Sequence, residues 1–166
     1  MSNINEESPY IKNKNRLPDV LAAIQVMATY RFYKLDFKNW SMRISGDEQN
    51  FNYWKNIFEH HPEFFRFDKN KEKVSLAWRR SKQRRYHVDL NKEITLEEIN
   101  LLSKEEQKDR MSRSPLNSSE IQSLITTAID LQGRAFDNKK DKRWWVIPLV
   151  SSISGLIGVI IGALLN

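Results

Sequence analysis

The feature that most constrains this chain is the point at which its charge stops. All 27 basic and 21 acidic side chains precede Trp144, and nothing after Arg143 is charged. Residues 144–165, WWVIPLVSSISGLIGVIIGALL, form an uncharged run of 22. At about 1.5 Å per residue such a helix is roughly 33 Å long, which matches a hydrocarbon core of about 30 Å. Twelve of its positions are Val, Ile or Leu, each favourable by about 0.3 to 0.6 kcal/mol near the bilayer centre. Pro148 falls in the first turn, where a missing N–H costs little. The run therefore predicts a single C-terminal transmembrane helix over 144–165.

Its flanks predict an orientation. Lys139, Lys140, Lys142 and Arg143 precede the span and only Asn166 follows it, so the positive-inside rule puts the N-terminal body in the cytoplasm. Lys142, Arg143, Trp144 and Trp145 are the expected membrane-interface anchors. The N-terminus, MSNINEESPY, lacks an apolar core and does not read as a secretory signal, so the expected protein is tail-anchored. Within the span, Ser154, Gly158 and Gly162 recur every four residues, beside Ser151 and Gly155. Such a stripe lets two helix backbones approach closely. Self-association as a homo-oligomer through the span is the expectation, with a solitary anchor as the alternative.

Residues 1–15 are polar and aperiodic and read as a disordered N-terminus. From Leu17 an amphipathic helix is spelled by Leu17, Val20, Leu21, Ile24, Met27 and Ala28. Asp36 is an N-cap for a second helix carrying Phe37, Trp40, Ser41 and Ile44, which Gly46 stops. A third helix carries Phe51, Trp54, Ile57 and Phe58 and ends near His61-Pro62. The period then changes to two: Phe65 and Phe67, a polar DKNKEK loop, then Val74, Leu76 and Trp78 predict a β-hairpin. The expected fold class is mainly α with a small β-hairpin, a winged-helix-like domain of three helices plus hairpin over 16–90. Fourteen of the 18 aromatic residues lie between Tyr30 and Tyr86, enough to fill such a core without disulfides.

Residues 91–143 read as a charged helical connector, with ten basic and ten acidic side chains. Thr95 and Glu98 have the capping-box spacing and open a short helix with Leu96, Ile99 and Leu102. Residues 103–117 are polar and broken by Pro115. A longer helix capped by Asn117 or Ser118 follows, with Ile121, Leu124, Ala128, Leu131 and Ala135 forming a seam. That seam suits packing back onto the three-helix unit, or a short coiled coil that Gly133 interrupts.

Residues 17–90 hold 14 basic and 9 acidic side chains, so most of the formal charge of +6 resides there. The excess is densest at Arg79, Arg80, Lys82, Arg84 and Arg85, a candidate phosphate-binding or anionic-surface-binding run. A phosphate backbone, anionic lipid head groups or an acidic protein would each suit it, as would salt bridges within the chain. The third helix should expose Asn52, Tyr53, Lys55 and Asn56, together with Gln49, Glu59 and His60. Asn and Gln can pair with adenine edges, but one cation among Glu48, Glu59 and Glu63 is a poor composition for a helix that faces phosphates.

With no cysteine in the chain, thiol nucleophiles, cysteine-ligated zinc and iron–sulfur clusters are excluded. The histidines are His60, His61 and His87. Adjacent His60 and His61 point to different faces of a helix and cannot share a metal. Arg80 and His87 have the loose Arg-x-His form of some ribonucleases, a pattern that twelve arginines make easily. No phosphate loop, nucleophile elbow or metal motif supports an enzyme. No catalytic residue, metal or cofactor is expected.

The stretches RLPDVLAAIQVMATYRF, WKNIFEHHPEFFRF, SLAWRRSKQRRYHVD, SPLNSSEIQSLITTAIDLQGR and KRWWVIPL together resemble a group of small bacterial membrane proteins. The resemblance covers nearly all of residues 16–165 and implies a winged-helix-like N-terminal unit and a C-terminal transmembrane helix. Some members bear the label N-carbamoyl-L-amino acid hydrolase. A metal-dependent amidohydrolase needs a longer chain and clustered His, Asp and Glu ligands, which three histidines at these positions do not supply. The expectation is a non-catalytic adaptor or regulatory protein at a membrane that binds a protein partner. A membrane-tethered nucleic-acid-binding regulator is the alternative, and a hydrolase or ribonuclease the third reading.

Overall fold

A computed structural model describes residues 8–141. The expected span over 144–165, the anchors Lys142, Arg143, Trp144 and Trp145, and the stripe Ser154, Gly158 and Gly162 lie outside the described residues. Among the described residues no helix is long and apolar enough to cross a membrane.

The described chain is mainly helical, with two small antiparallel sheets. Helix α1 (Pro9–Lys12) and helix α2 (Arg16–Thr29) lead into strand β1 (Lys34–Asp36). Helix α3 (Phe37–Ser45) and helix α4 (Phe51–His60) follow, then strands β2 (Phe65–Phe67) and β3 (Lys73–Leu76). The first sheet has the order β1-β3-β2, with Lys34 opposite Ser75 and Phe65 opposite Leu76.

Local chemistry explains these boundaries. The Asp36 carboxylate accepts the Asn39 N–H at 2.9 Å and starts α3. Gly46 ends it at φ +74, a left-handed conformation that glycine adopts without a Cβ penalty, and returns its N–H to Met42 O. Asp47 then accepts the Gln49 N–H at 2.8 Å and opens a 3-10 turn, Glu48–Asn50, ahead of α4.

Ile24, Met27, Trp40, Phe58, Phe64 and Leu76 are among the core side chains, each at most 2% exposed. Trp40 donates its indole N–H to Val74 O at 2.9 Å, so α3 is fastened to the middle strand. Trp54 does the same for α4, reaching Ser45 Oγ on α3 at 3.1 Å. Phe58 meets Phe65 edge-on with centroids 4.9 Å apart.

The chain then forms a 3-10 turn, Trp78–Ser81, and a second sheet. Strand β4 (Tyr86–His87) lies between β5 (Lys92–Glu93) and β6 (Met111–Ser112), with helices α5 (Leu96–Leu101) and α6 (Lys104–Arg110) connecting the outer two. Helix α7 (Ser118–Asp141) closes the described chain. Its Leu124, Ala128 and Ala135 are buried in the same core as Val20, Ile24 and Met27 of α2. The Leu116 N–H donates to Ala28 O at 2.9 Å where the chain arrives at α2.

Several expectations need correction. Residues 9–12, within the expected disordered N-terminus, form α1, because Tyr10 is apolar enough in its ring to be buried, 4% exposed, against the His61 ring. Trp78 does not extend the hairpin; it opens the 3-10 turn and is 43% exposed. The limit expected at residue 90 does not divide the packing, since β4 on one side pairs with β5 and β6 on the other. Gly133 lies within α7 without interrupting it.

Candidate functional site

Three cations of the expected anion-binding run, Arg79, Lys82 and Arg84, make contacts within the fold. Arg79 is fully buried, which corrects its assignment to an anionic surface. Its Nη1 donates to Met27 O at 2.9 Å, to Tyr30 O and to Phe32 O at 3.4 Å. Its Nη2 donates to Arg31 O at 3.4 Å and to Arg113 O. The guanidinium thus collects the carbonyl groups left over where α2 ends, and joins them to the strand-like segment leading to α7. Burial pulls its pKa down to about 10, so the group remains charged at neutral pH.

Two of the other four cations are engaged within the fold too. Lys82 pairs with Glu120 at 2.9 Å and ties the turn to the start of α7. Arg84 donates from Nε to Met111 O at 2.9 Å and from Nη2 to Gln107 O and Lys108 O at 2.8 and 3.0 Å. These are the orphan carbonyls at the C-terminal end of α6 and beyond, where a cation also suits the helix dipole. Arg80 and Arg85 are half-buried, and their backbone carbonyls accept from Arg113 Nη1 and from the Ile94 N–H.

The α4 face is only partly open. Asn52 and Asn56 are exposed, Tyr53 is 44% exposed and Lys55 is half-buried. Asn56 accepts from Arg16 Nη2 at 3.2 Å, and the Tyr53 hydroxyl donates to Asp19 on α2. Lys55 lies 3.9 Å from Glu59 and over the Phe37 ring. Asn52 is left as the polar group of that face without such a tie.

The histidines do not converge. His61 is buried and its Nδ1 lies 2.9 Å from Glu63 Oε1, while His60 is exposed and its Nδ1 lies 2.7 Å from Asn56 O. His87 is buried on β4, with Nδ1 3.4 Å from the Leu90 N–H. Among the described residues no group of three or more His, Asp or Glu side chains could hold a metal ion.

A different constellation appears between the sheets. A cleft of about 260 Å³ is walled by Lys34 of β1, Lys73 of β3, Arg84, and Lys108 of α6. Phe32 and Tyr33 line it beside them, and Ser112 of β6 closes the far wall. The Tyr33 N–H donates to Ser112 Oγ at 3.0 Å, so one hydrogen bond joins the two walls. Two acidic groups stand nearby without lining the cleft. Asp68 lies 3.9 Å from Lys34, and hydrogen bonding by the Lys73 N–H, ahead of the Lys34 and Lys73 charges, keeps its carboxyl below the ordinary value. Burial pushes the Asp36 carboxyl up, but the Asn39 bonds and the Lys73 charge outweigh it and hold the group low.

The four cations occupy positions 34, 73, 84 and 108. Neither a run nor a period connects them, so sequence reasoning missed the cleft; only the strand pairing and the missed β6 and α6 bring them together. No family model, curated protein or solved structure matches the chain.

Proposed function

We propose that this chain is a non-catalytic, membrane-tethered binding module: a winged-helix-like unit held at the cytoplasmic face by the uncharged C-terminal span and engaging a protein partner. The order of helix, strand, two helices and two strands, with the first strand beside the last, supports the winged-helix-like reading. The single observation that carries the adaptor over a DNA reader is the internal use of the basic run. Arg79 is buried and Lys82 is paired with Glu120, and Arg84 faces the cleft between the sheets, so the run does not present one continuous cationic surface to a nucleic-acid backbone. Apolar side chains stand out instead: Ile129 and Phe136 of α7 are 48% and 45% exposed, beside a seam already packed on α2.

Two measurements test the reading. Full-length protein should stay with membranes through high-pH extraction, and protease should reach its N-terminal body from the cytoplasmic side; recovery in the soluble fraction without detergent would sink the tether. Photo-crosslinking from position 129 in cells should capture one partner reproducibly, and capture lost when Phe136→Ser is added would support a direct contact. For the span, Gly158→Leu should weaken self-association in a bilayer assay, whereas an unchanged oligomer would make the small-residue stripe incidental.

A second reading, a tethered nucleic-acid-binding regulator, draws on the exposed Arg66, Lys69 and Lys71 of the β2–β3 hairpin. It requires DNA binding that weakens steeply with salt and is lost in the double variant Lys69→Glu, Lys71→Glu.

A further inference from the structure

We propose that the cleft between the two sheets binds the phosphate groups of a small phosphorylated molecule. The inference concerns a site apart from the protein-binding face and does not rest on membrane attachment. Lys34, Lys73, Arg84 and Lys108 come from four separate stretches of chain and converge on one concave space. No carboxylate lines it. Gathering like charges is unfavourable unless an anion offsets it. Asp68 and Asp36 offset the Lys34 and Lys73 side only. Among the described residues, no carboxylate pairs with Arg84 or Lys108.

One of the four cations is also held in place before any ligand arrives. Arg84 spends Nε and Nη2 on the carbonyls of Met111, Gln107 and Lys108. Those bonds fix the guanidinium plane and, through the Lys108 carbonyl, the backbone that carries the fourth cation. The bond from Tyr33 N–H to Ser112 Oγ sets the separation of the walls. A guanidinium already fixed loses less freedom on binding, and each charge-assisted bond to a phosphate oxygen is about twice as strong as a neutral one.

Size and wall chemistry select the ligand class. A volume of about 260 Å³ lies just under the usual range of roughly 300–1,000 Å³ for small-molecule sites. A diphosphate with a modest organic part suits that space. Phe32 and Tyr33 supply aromatic surface for the organic part. A polynucleotide needs a groove that tracks its backbone over several nucleotides, and a cleft of about 260 Å³ is too short for that.

The test is calorimetric titration of the full-length protein in detergent, at low salt and without divalent ions, using inorganic pyrophosphate and ADP as probes. Both should bind saturably at one site, ADP more tightly if its organic part reaches the aromatic wall. Lys34→Ala and Lys108→Ala should each weaken pyrophosphate binding roughly tenfold, as expected for loss of a charge-assisted contact. Lys104→Ala, exposed on the same helix but outside the cleft, should leave it unchanged. Failure of both probes to bind saturably overturns the proposal, as does equal weakening by Lys104→Ala. Displacement of pyrophosphate by a single-stranded oligonucleotide at concentrations far below those of ADP overturns the small-molecule assignment in favour of nucleic acid.

Discussion

The two sheets of this protein are stabilised in different currencies. The first is backed by a continuous apolar core: Trp40, Phe58, Phe64, Phe65 and Leu76 are all at most 2% exposed. Around the second, α5 and α6 contribute no buried residue, and Leu96 and Leu101 are 57% and 86% exposed. That region buries only a small apolar set, Tyr86, Val88, Ile94 and Met111, outside the main core, and polar devices supply much of the rest. Capping boxes start both helices, Thr95 with Glu98 and Ser103 with Glu106, and the Gln107 side chain donates to Ile99 O and Leu102 O at 3.0 Å each. Arg84 then grips the end of α6. Burial produces cooperativity across a domain, whereas surface hydrogen bonds contribute singly and open locally.

The sharpest test of this contrast removes a fully buried guanidinium from the apolar side. Arg79→Met leaves five carbonyls without their shared donor and should cost about 3 kcal/mol or more, comparable with about 3 to 5 kcal/mol for Trp40→Ala. Urea unfolding of both variants measures it, and a loss under 1 kcal/mol for Arg79→Met would remove the guanidinium from the core account. Arg84→Ala should cost less, about 1 to 3 kcal/mol. Its effect should be confined to 104–112 in hydrogen exchange, with α2 protection unchanged. Global loss of protection would show the two regions to be one energetic unit.

Thr95→Ala removes one cap and should cost about 1 kcal/mol, read as faster exchange in α5 alone. The smallest effect is acidic. The Glu98 and Glu106 carboxyls are held below their ordinary value of 4.5, chiefly by the backbone N–H groups of Thr95 and Ser103. A carboxyl depressed in the folded state stabilises fully above its ordinary value and loses that contribution as pH falls through the folded value. Exchange in α5 and α6 should therefore accelerate as pH drops below about 4.5, after correction for intrinsic rates. Glu98→Gln should flatten the dependence in α5.

What could be read from the sequence follows the same division. The helices carrying Val20, Ile24, Trp40, Trp54 and Phe58 were legible because a buried stripe writes its period into the chain. The hairpin was legible for the same reason, as was the Thr95–Glu98 cap, whose two partners are three residues apart. Strand β1, with Lys34, Leu35 and Asp36 all half-buried, has no alternation and is defined by its pairing to β3. Strands β4 to β6 span two residues each, too short for any periodic signal. The fate of Arg79 was illegible for a further reason. Arg79 and Arg80 are adjacent and chemically identical, and only the carbonyls waiting at the end of α2 decide which one turns inward. The cationic cleft depends on those unreadable pairings.

Arg79 also bears on the order in which the molecule can assemble. Its partners lie 52 residues away at Met27 and 34 residues away at Arg113. Until both distant stretches arrive, the guanidinium has no dry place to sit and keeps its water. It acts as a coincidence detector: half-assembled forms with either stretch missing must leave the hairpin's end hydrated and the neighbouring core ajar. Outside α5 and α6, this makes unfolding all-or-none, with fluorescence and circular dichroism changing together.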